Sequence, residues 1–171
     1  MKPKLSPELS YVIGLWGIRR TKEGIGVKGK DVIPAFVNEV IKLSLTESGK
    51  LLYSENSVYF YHSKWRKFFQ EVWKDRMERF KYLNEYSANF LAGIFDACGK
   101  IDEKGIISIE GFGEDEMVLS RLGFKPKRKG KTIVIGNPIA FLKFIYDFLK
   151  VKKEEMAVYI EKGKEQKIFK Y

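Results

Sequence analysis

The feature that most restricts the fold of this 171-residue chain is that its pattern is written twice. Ser57-Val58-Tyr59-Phe60-Tyr61-His62, laid over Thr132-Ile133-Val134-Ile135-Gly136-Asn137, keeps the apolar phase residue for residue. Upstream, Ile25 and Val27 in the alternating run Gly24–Gly29 have counterparts in Ile107 and Ile109 of Gly105–Glu110. An internal duplication of about 75 residues is the simplest account, and helices interleaved with period-two strands place the chain in the α+β class.

Each half reads as α-β-β-α-β-β-α, with a first strand that is hard to see in the first copy. Ser6-Pro7-Glu8 opens a helix Glu8–Arg19: a hydroxyl cap, proline in the first turn and an acid near the positive pole. Asp31 caps a helix over about 32–45, with Pro34 in its first turn. Leu51–Tyr53 and Val58–Tyr61 form a hairpin ending near the polar His62. A helix over about 64–81 turns Trp65, Phe68, Phe69, Val72 and Trp73 into the core, and Lys64, Arg66, Lys67, Lys74 and Arg76 to solvent. In the second copy Asn84 caps a helix to Ala97, Glu114–Leu122 is a short helix, Lys125–Gly136 is a hairpin turning at Lys129-Gly130, and Ile139–Leu149 closes the unit. The expected boundaries are 1–82 for the first repeat, 83–151 for the second and 152–171 for an extension. Within it, Met156–Ile160 and Lys167–Tyr171 read as an extra hairpin or a fraying end.

Charge narrows the function. The chain carries 32 Lys+Arg against 22 Asp+Glu, a formal net charge of +10, and is therefore attracted to polyanions. A single cysteine and a single histidine exclude a disulfide framework, a cysteine-rich zinc site and a Ser-His-Asp triad. No run approaches the ~18 apolar residues of a membrane span, and Met1-Lys2-Pro3-Lys4 leads into a helix rather than a signal peptide. The expectation is an intracellular, cytoplasmic protein with no membrane partner and no cofactor. Few Gln and Cys among many Lys, Glu, Ile and Tyr point towards a thermophile.

Residues Leu91-Ala92-Gly93-Ile94-Phe95-Asp96-Ala97-Cys98-Gly99 resemble the nine-letter signature of the LAGLIDADG homing endonucleases, in their single-chain, two-repeat form. In the first copy Val12–Arg20 aligns with it mainly through Gly14, and the resemblance covers about residues 8–150. It implies two signature helices paired on a pseudo-two-fold axis and four strands per half, forming a concave antiparallel surface over nucleic acid. Gly14, Ala92 and Gly93 then lie at the helix interface, where a missing or small β-carbon lets backbones approach below the usual ~8–10 Å axis separation.

In that family one carboxylate at the base of each signature helix holds a divalent metal; here those two positions are Arg19 and Cys98. A guanidinium repels the ion and a thiol is a soft, poor ligand for Mg²⁺. Asp96, about 200° round the helix from Cys98, points away. The expectation is therefore a monomer that binds duplex DNA or structured RNA without metal or cleavage. Candidate nucleic-acid contacts are Arg19, Arg20, Lys22, Lys28, Lys30, Tyr59, Tyr61, Lys125, Lys127, Arg128, Lys129 and Lys131. Arg19 and Arg20 also suit the negative pole of a helix, a purely structural role. Two rivals stay open: an active endonuclease with a site rebuilt from Asp102 and Glu103, with Glu23 the nearest acid in the first half, and an interaction module of a ribonucleoprotein. Trp65 and Trp73 read as core, and Gly111-Phe112-Gly113 is too short for a phosphate loop.

Overall fold

The computed structural model describes the backbone of residues 2–169 and the side chains of residues 2–162. Helices α1 (Pro7–Arg19) and α5 (Glu85–Cys98) begin where a short polar side chain accepts an otherwise orphaned N–H. Ser6 Oγ accepts from Leu9 N at 3.1 Å, and Asn84 Oδ1 from Ser87 N at 3.0 Å. The two helices pack on each other more extensively than any other pair of elements. Their contact is backbone to backbone and reciprocal. A β-carbon on Gly14 would run into the carbonyl oxygen of Phe90 and lie 3.2 Å from Ile94 N; one on Gly93 would meet the carbonyl oxygen of Tyr11 and lie 2.9 Å from Leu15 N. Each glycine thus sits over the residue three positions before the other, which fixes the register of the two copies. Ala92 is fully buried in the same core.

In the first half β1 (Ile25–Lys28), β2 (Leu52–Ser54) and β3 (Ser57–Phe60) form an antiparallel sheet in the order β1-β3-β2. In the second, β4 (Lys100–Ile101), β5 (Ile107–Glu110), β6 (Pro126–Lys129) and β7 (Thr132–Ile135) follow the order β4-β5-β7-β6. The expected first strand of the first copy is reduced to a single bridge between Arg20 and Val27. The chain reverses too soon for more: Thr21 N bonds to Gly26 O, Thr21 Oγ1 bonds to Glu23 O, and Gly24 takes a positive φ of 61°.

Helices α2 (Ile33–Lys42), α3 (Ser63–Lys74), α4 (Arg76–Arg79), α6 (Gly113–Arg121) and α7 (Pro138–Ile145) complete the two repeats. His62 caps α3, its Nδ1 accepting from Trp65 N at 3.2 Å, a more specific role than a polar hairpin end. The helix expected over 64–81 breaks at Asp75, and Arg76 is not solvated. Its side chain is buried: Nε donates to Asp115 Oδ1 at 2.8 Å, one terminal nitrogen donates to Glu114 Oε2 at 3.0 Å, and the other donates to Trp73 O at 2.9 Å. Asp115 in turn accepts from Phe112 N at 2.8 Å, so one carboxylate both opens α6 and neutralises the buried cation.

The extension is neither hairpin nor fraying end but helix α8 (Lys153–Phe169); Lys170 and Tyr171 lie outside the described residues. Met156 and Ile160, spaced four apart, share one helical face and are both buried, a pairing that a strand would also bring to one side but over a longer rise. Entry into α8 is fixed by Asp96. Its buried carboxylate accepts from Tyr11 Oη at 2.6 Å and from the backbone N–H groups of Lys150, Val151 and Lys152 at 2.8, 3.1 and 3.0 Å. Burial first, and then the charge of Asp96, push the Tyr11 phenol far above its usual range, so it remains a donor. Lys150 Nζ reaches the buried Glu39 of α2 at 2.8 Å. One hydrophobic core runs through both halves.

Two stability predictions follow from this packing. An alanine in a helix interior usually gains about 0.5–1 kcal/mol over glycine. Gly14→Ala should instead lose about 1–3 kcal/mol through overpacking, read as a lower urea midpoint, and a stabilised variant would contradict the close helix contact. Arg76→Met should cost about 3–5 kcal/mol in the same measurement, because it leaves Asp115 charged and buried.

Candidate nucleic-acid interface

Strand alternation sorts the side chains of each sheet. Ile25, Val27, Val58 and Phe60 are buried on the helix side, and register places Lys28 opposite Ser57 and Gly26 opposite Tyr59 on the outer face. Tyr61 follows beside it, exposed, with its ring centroid 5.8 Å from that of Tyr59 and its hydroxyl 3.3 Å from Glu23. In the second sheet Ile107, Ile109, Ile133 and Ile135 face inward. Ser108, Val134 and Lys127 share one outer row, and Glu110, Thr132 and Lys129 the next. Lys100, which was not among the expected contacts, lies opposite Ser108 and pairs with Glu110 at 3.7 Å.

The β6–β7 turn consists of Gly130-Lys131, one residue later than expected, because Gly130 supplies the positive φ (65°) of its first central position. Arg128 does not belong to the outer face. It pairs in register with the buried Ile133, and its Nε lies 3.7 Å from Glu116 of α6. Lys22, Lys28, Lys30, Lys125, Lys127, Lys129 and Lys131 are all exposed, and among the described residues none of them takes part in an ion pair.

At the base of the central helices the two corresponding positions are filled unequally. Arg19 is not free to reach a phosphate. Its Nε donates to Ala97 O at 2.6 Å, one terminal nitrogen to Lys28 O at 3.1 Å and Asp31 Oδ1 at 3.0 Å, and the other to Asp31 Oδ2 at 2.8 Å. Hydrogen bonding from Arg19 in turn lowers the pKa of Asp31. Across the axis the Cys98 thiol lies between Ile94 O at 3.3 Å and Glu110 N at 3.4 Å, and burial pushes its pKa up to about 11, so it is not a thiolate at neutral pH. Lys152 Nζ donates to Phe95 O at 3.1 Å and to Gly99 O, with its pKa drawn down by burial.

This donor set does not fit Mg²⁺, which takes hard oxygen ligands in an open site. The carbonyls of Phe95, Ala97 and Gly99 are occupied by cations, Asp31 is held by Arg19, and Asp96 faces the other way. Asp102 is committed to its own turn, accepting from Lys104 N and Ile106 N at 2.9 Å each. It and Glu103 line a hollow against α8 that the helix bases do not share. Among the described residues no three His, Cys, Asp or Glu side chains converge as a metal ion would require.

Arg20 behaves differently from Arg19. Its guanidinium carbon lies 4.0 Å from the centroid of the Trp16 ring and 5.6 Å from that of Trp73, and it forms no hydrogen bond or ion pair among the described residues. Burial first, and Arg76 second, lower its pKa. Trp73 is half-buried rather than core, and with Arg20, Gly111, Phe112 and Lys131 it lines a cleft of about 560 Å³ between the halves. Phe112, which was not among the expected contacts, stands between two glycines with its ring 64% exposed.

No protein-family model matches the sequence, and no curated protein matches it. Solved structures do. The chain is similar to a structure of mesophilic variants of the homing endonuclease I-DmoI, at a TM-score of 0.57 and 13% identity over 81% of this chain and 94% of that one. For I-DmoI in complex with DNA and Mn the values are 0.58, 13%, 81% and 96%. For its complex with DNA and Ca they are 0.59, 15%, 89% and 96%. With its paired central helices and two antiparallel sheets, the chain has the α+β fold of a LAGLIDADG homing endonuclease.

Proposed function

We propose that this protein binds duplex DNA across the outer faces of its two sheets, as a single chain, and does not cut it. The observation that carries the reading is the set of exposed cations that form no ion pair among the described residues: Lys28 on β1 and Lys127 and Lys129 on β6, with Lys22, Lys30, Lys125 and Lys131 in the adjoining loops. Seven exposed ammonium groups without carboxylate partners among the described residues make these surfaces positive, and a phosphate backbone neutralises them while releasing counterions. Tyr59 and Tyr61 add flat, hydroxyl-bearing surface beside them. The fold neighbour I-DmoI is solved with DNA, which favours duplex DNA over structured RNA as the first ligand to test.

The absence of cleavage rests on the helix bases. Metal-assisted hydrolysis needs an ion that activates water and neutralises the scissile phosphate. A guanidinium bound on three sides and a protonated thiol supply no oxygen ligand for it.

Binding should be steeply salt-dependent, with log K falling by about 0.9 per log unit of salt for each phosphate neutralised. Lys127→Gln/Lys129→Gln/Lys131→Gln should flatten that slope by about 2–3, whereas Arg128→Gln should change it by less than about one. Salt-independent binding, or a slope untouched by the triple substitution, would sink the sheet-face reading. Incubation of a supercoiled target-site library with Mg²⁺ or Mn²⁺ should give no linear product. A metal-dependent double-strand break that Asp102→Asn/Glu103→Gln abolishes would restore the nuclease reading.

A further inference from the structure

The cleft between the halves has a composition that the sheet faces lack. One wall comes from the first repeat, with Arg20 at the end of α1 and Trp73 near the end of α3; the other comes from the second, with Gly111, Phe112 and Lys131. It is lined mostly by apolar surface, yet two cations open into it. Among the described residues, Arg20 with its five N–H groups has no acceptor and Lys131 forms no ion pair. Two carboxylates line the cleft as well: Asp115, committed to Arg76 and Phe112 N, and Glu110, which lies 3.7 Å from the exposed Lys100. Neither is bonded to Arg20 or Lys131.

Phe112 is difficult to explain as a structural residue. It occupies the capping position of α6, where a short polar side chain would ordinarily serve, and its cap is made by its backbone N–H to Asp115 instead. Its ring is left exposed at the mouth of the cleft. An exposed phenyl ring and two cations without ion-pair partners among the described residues are elements with which proteins hold unstacked nucleotides: an aromatic face for the base, ammonium and guanidinium groups for the phosphate. The volume, about 560 Å³, is within the range of small-molecule sites. A paired, stacked base does not expose its faces and would not enter.

We infer that this cleft takes a single unstacked nucleotide, its base against the exposed face of Phe112 and its phosphate near Arg20 and Lys131, with Trp73, itself covered by Arg76 and Gly17, forming the cleft wall. The inference deepens the proposed nucleic-acid binding and rests on it for context, but the cleft and the sheet faces are separable by experiment. Three probes are titrated into the full-length protein: a paired duplex, the same duplex with one bulged 2-aminopurine, and a short single strand carrying 2-aminopurine. The bulged duplex should bind about tenfold more tightly than the paired one, with quenching of 2-aminopurine emission. Phe112→Ala should abolish both the preference and the quenching, while paired-duplex affinity stays within about twofold. Phe112→Trp should retain the preference, which separates a lost stacking surface from a disturbed fold.

Equal affinity for bulged and paired duplex, or a preference that survives Phe112→Ala, overturns the inference. Should the paired duplex fail to bind while the single strand is quenched in a Phe112-dependent way, the cleft stands and the sheet-face reading falls. Should the paired duplex bind and no probe be quenched, the reverse holds.

Discussion

Everything in this molecule is arranged around the place where two helices touch without side chains between them. Gly14 against the Phe90 carbonyl and Gly93 against the Tyr11 carbonyl bring α1 and α5 backbone to backbone, and the reciprocity of the contact sets the two copies in register. Once that register is fixed, the ends of the helices must lie side by side, close enough for Arg19 on one to bond the Ala97 carbonyl on the other. Each helix then delivers its sheet to the same end of the molecule. Larger residues at either position would part the helices and move both helix bases and both sheets with them.

The helix bases show how a symmetric scaffold can hold unlike chemistry. On one side Arg19 bridges to Asp31 and to the opposite helix; on the other a half-buried thiol and Lys152 close the end of α5. The last carbonyls of α5, which carry the negative end of its dipole, are met by two cations. That arrangement is self-contained: its cations are bonded to acceptors of the protein itself, and Arg19 has little left to offer a phosphate. The neighbouring Arg20 has the opposite character, held over Trp16 by its face and left with its donors unspent. Two adjacent arginines, alike in sequence, therefore differ entirely in what remains available to a ligand.

Much of the fold was legible because period and capping are local properties. Ser6, Asn84 and the alternation of Ile25, Val27, Ile107 and Ile109 act where they stand, and they placed α1, α5, β1 and β5 within a few residues. Long-range contacts were not legible. Arg76 lay on a polar stripe and is buried only because Asp115, 39 residues away, waits for it. Arg128 sat in a run of cations that alternation divides between two faces, and Glu116 claims it. Met156 and Ile160 satisfy either a strand or a helix on paper, and packing beneath α8 decides between them. Of the expected interface, the lysines stand on the surface without an ion pair among the described residues, whereas Arg19 turned inward; Trp73, expected in the core, turned partly outward.

The two sheets are unequal, one of three strands and the other of four, because the tight reversal at Thr21–Gly24 removes a strand from the first repeat. The basic hairpin Lys125–Lys131 has no counterpart of like charge in Leu52–Phe60. A molecule so divided has a heavy end and a light end. It cannot be rotated half a turn and meet a ligand in the same way, so a target with matching arms would gain nothing from its symmetry. The loss of one short strand thus gives the protein a direction.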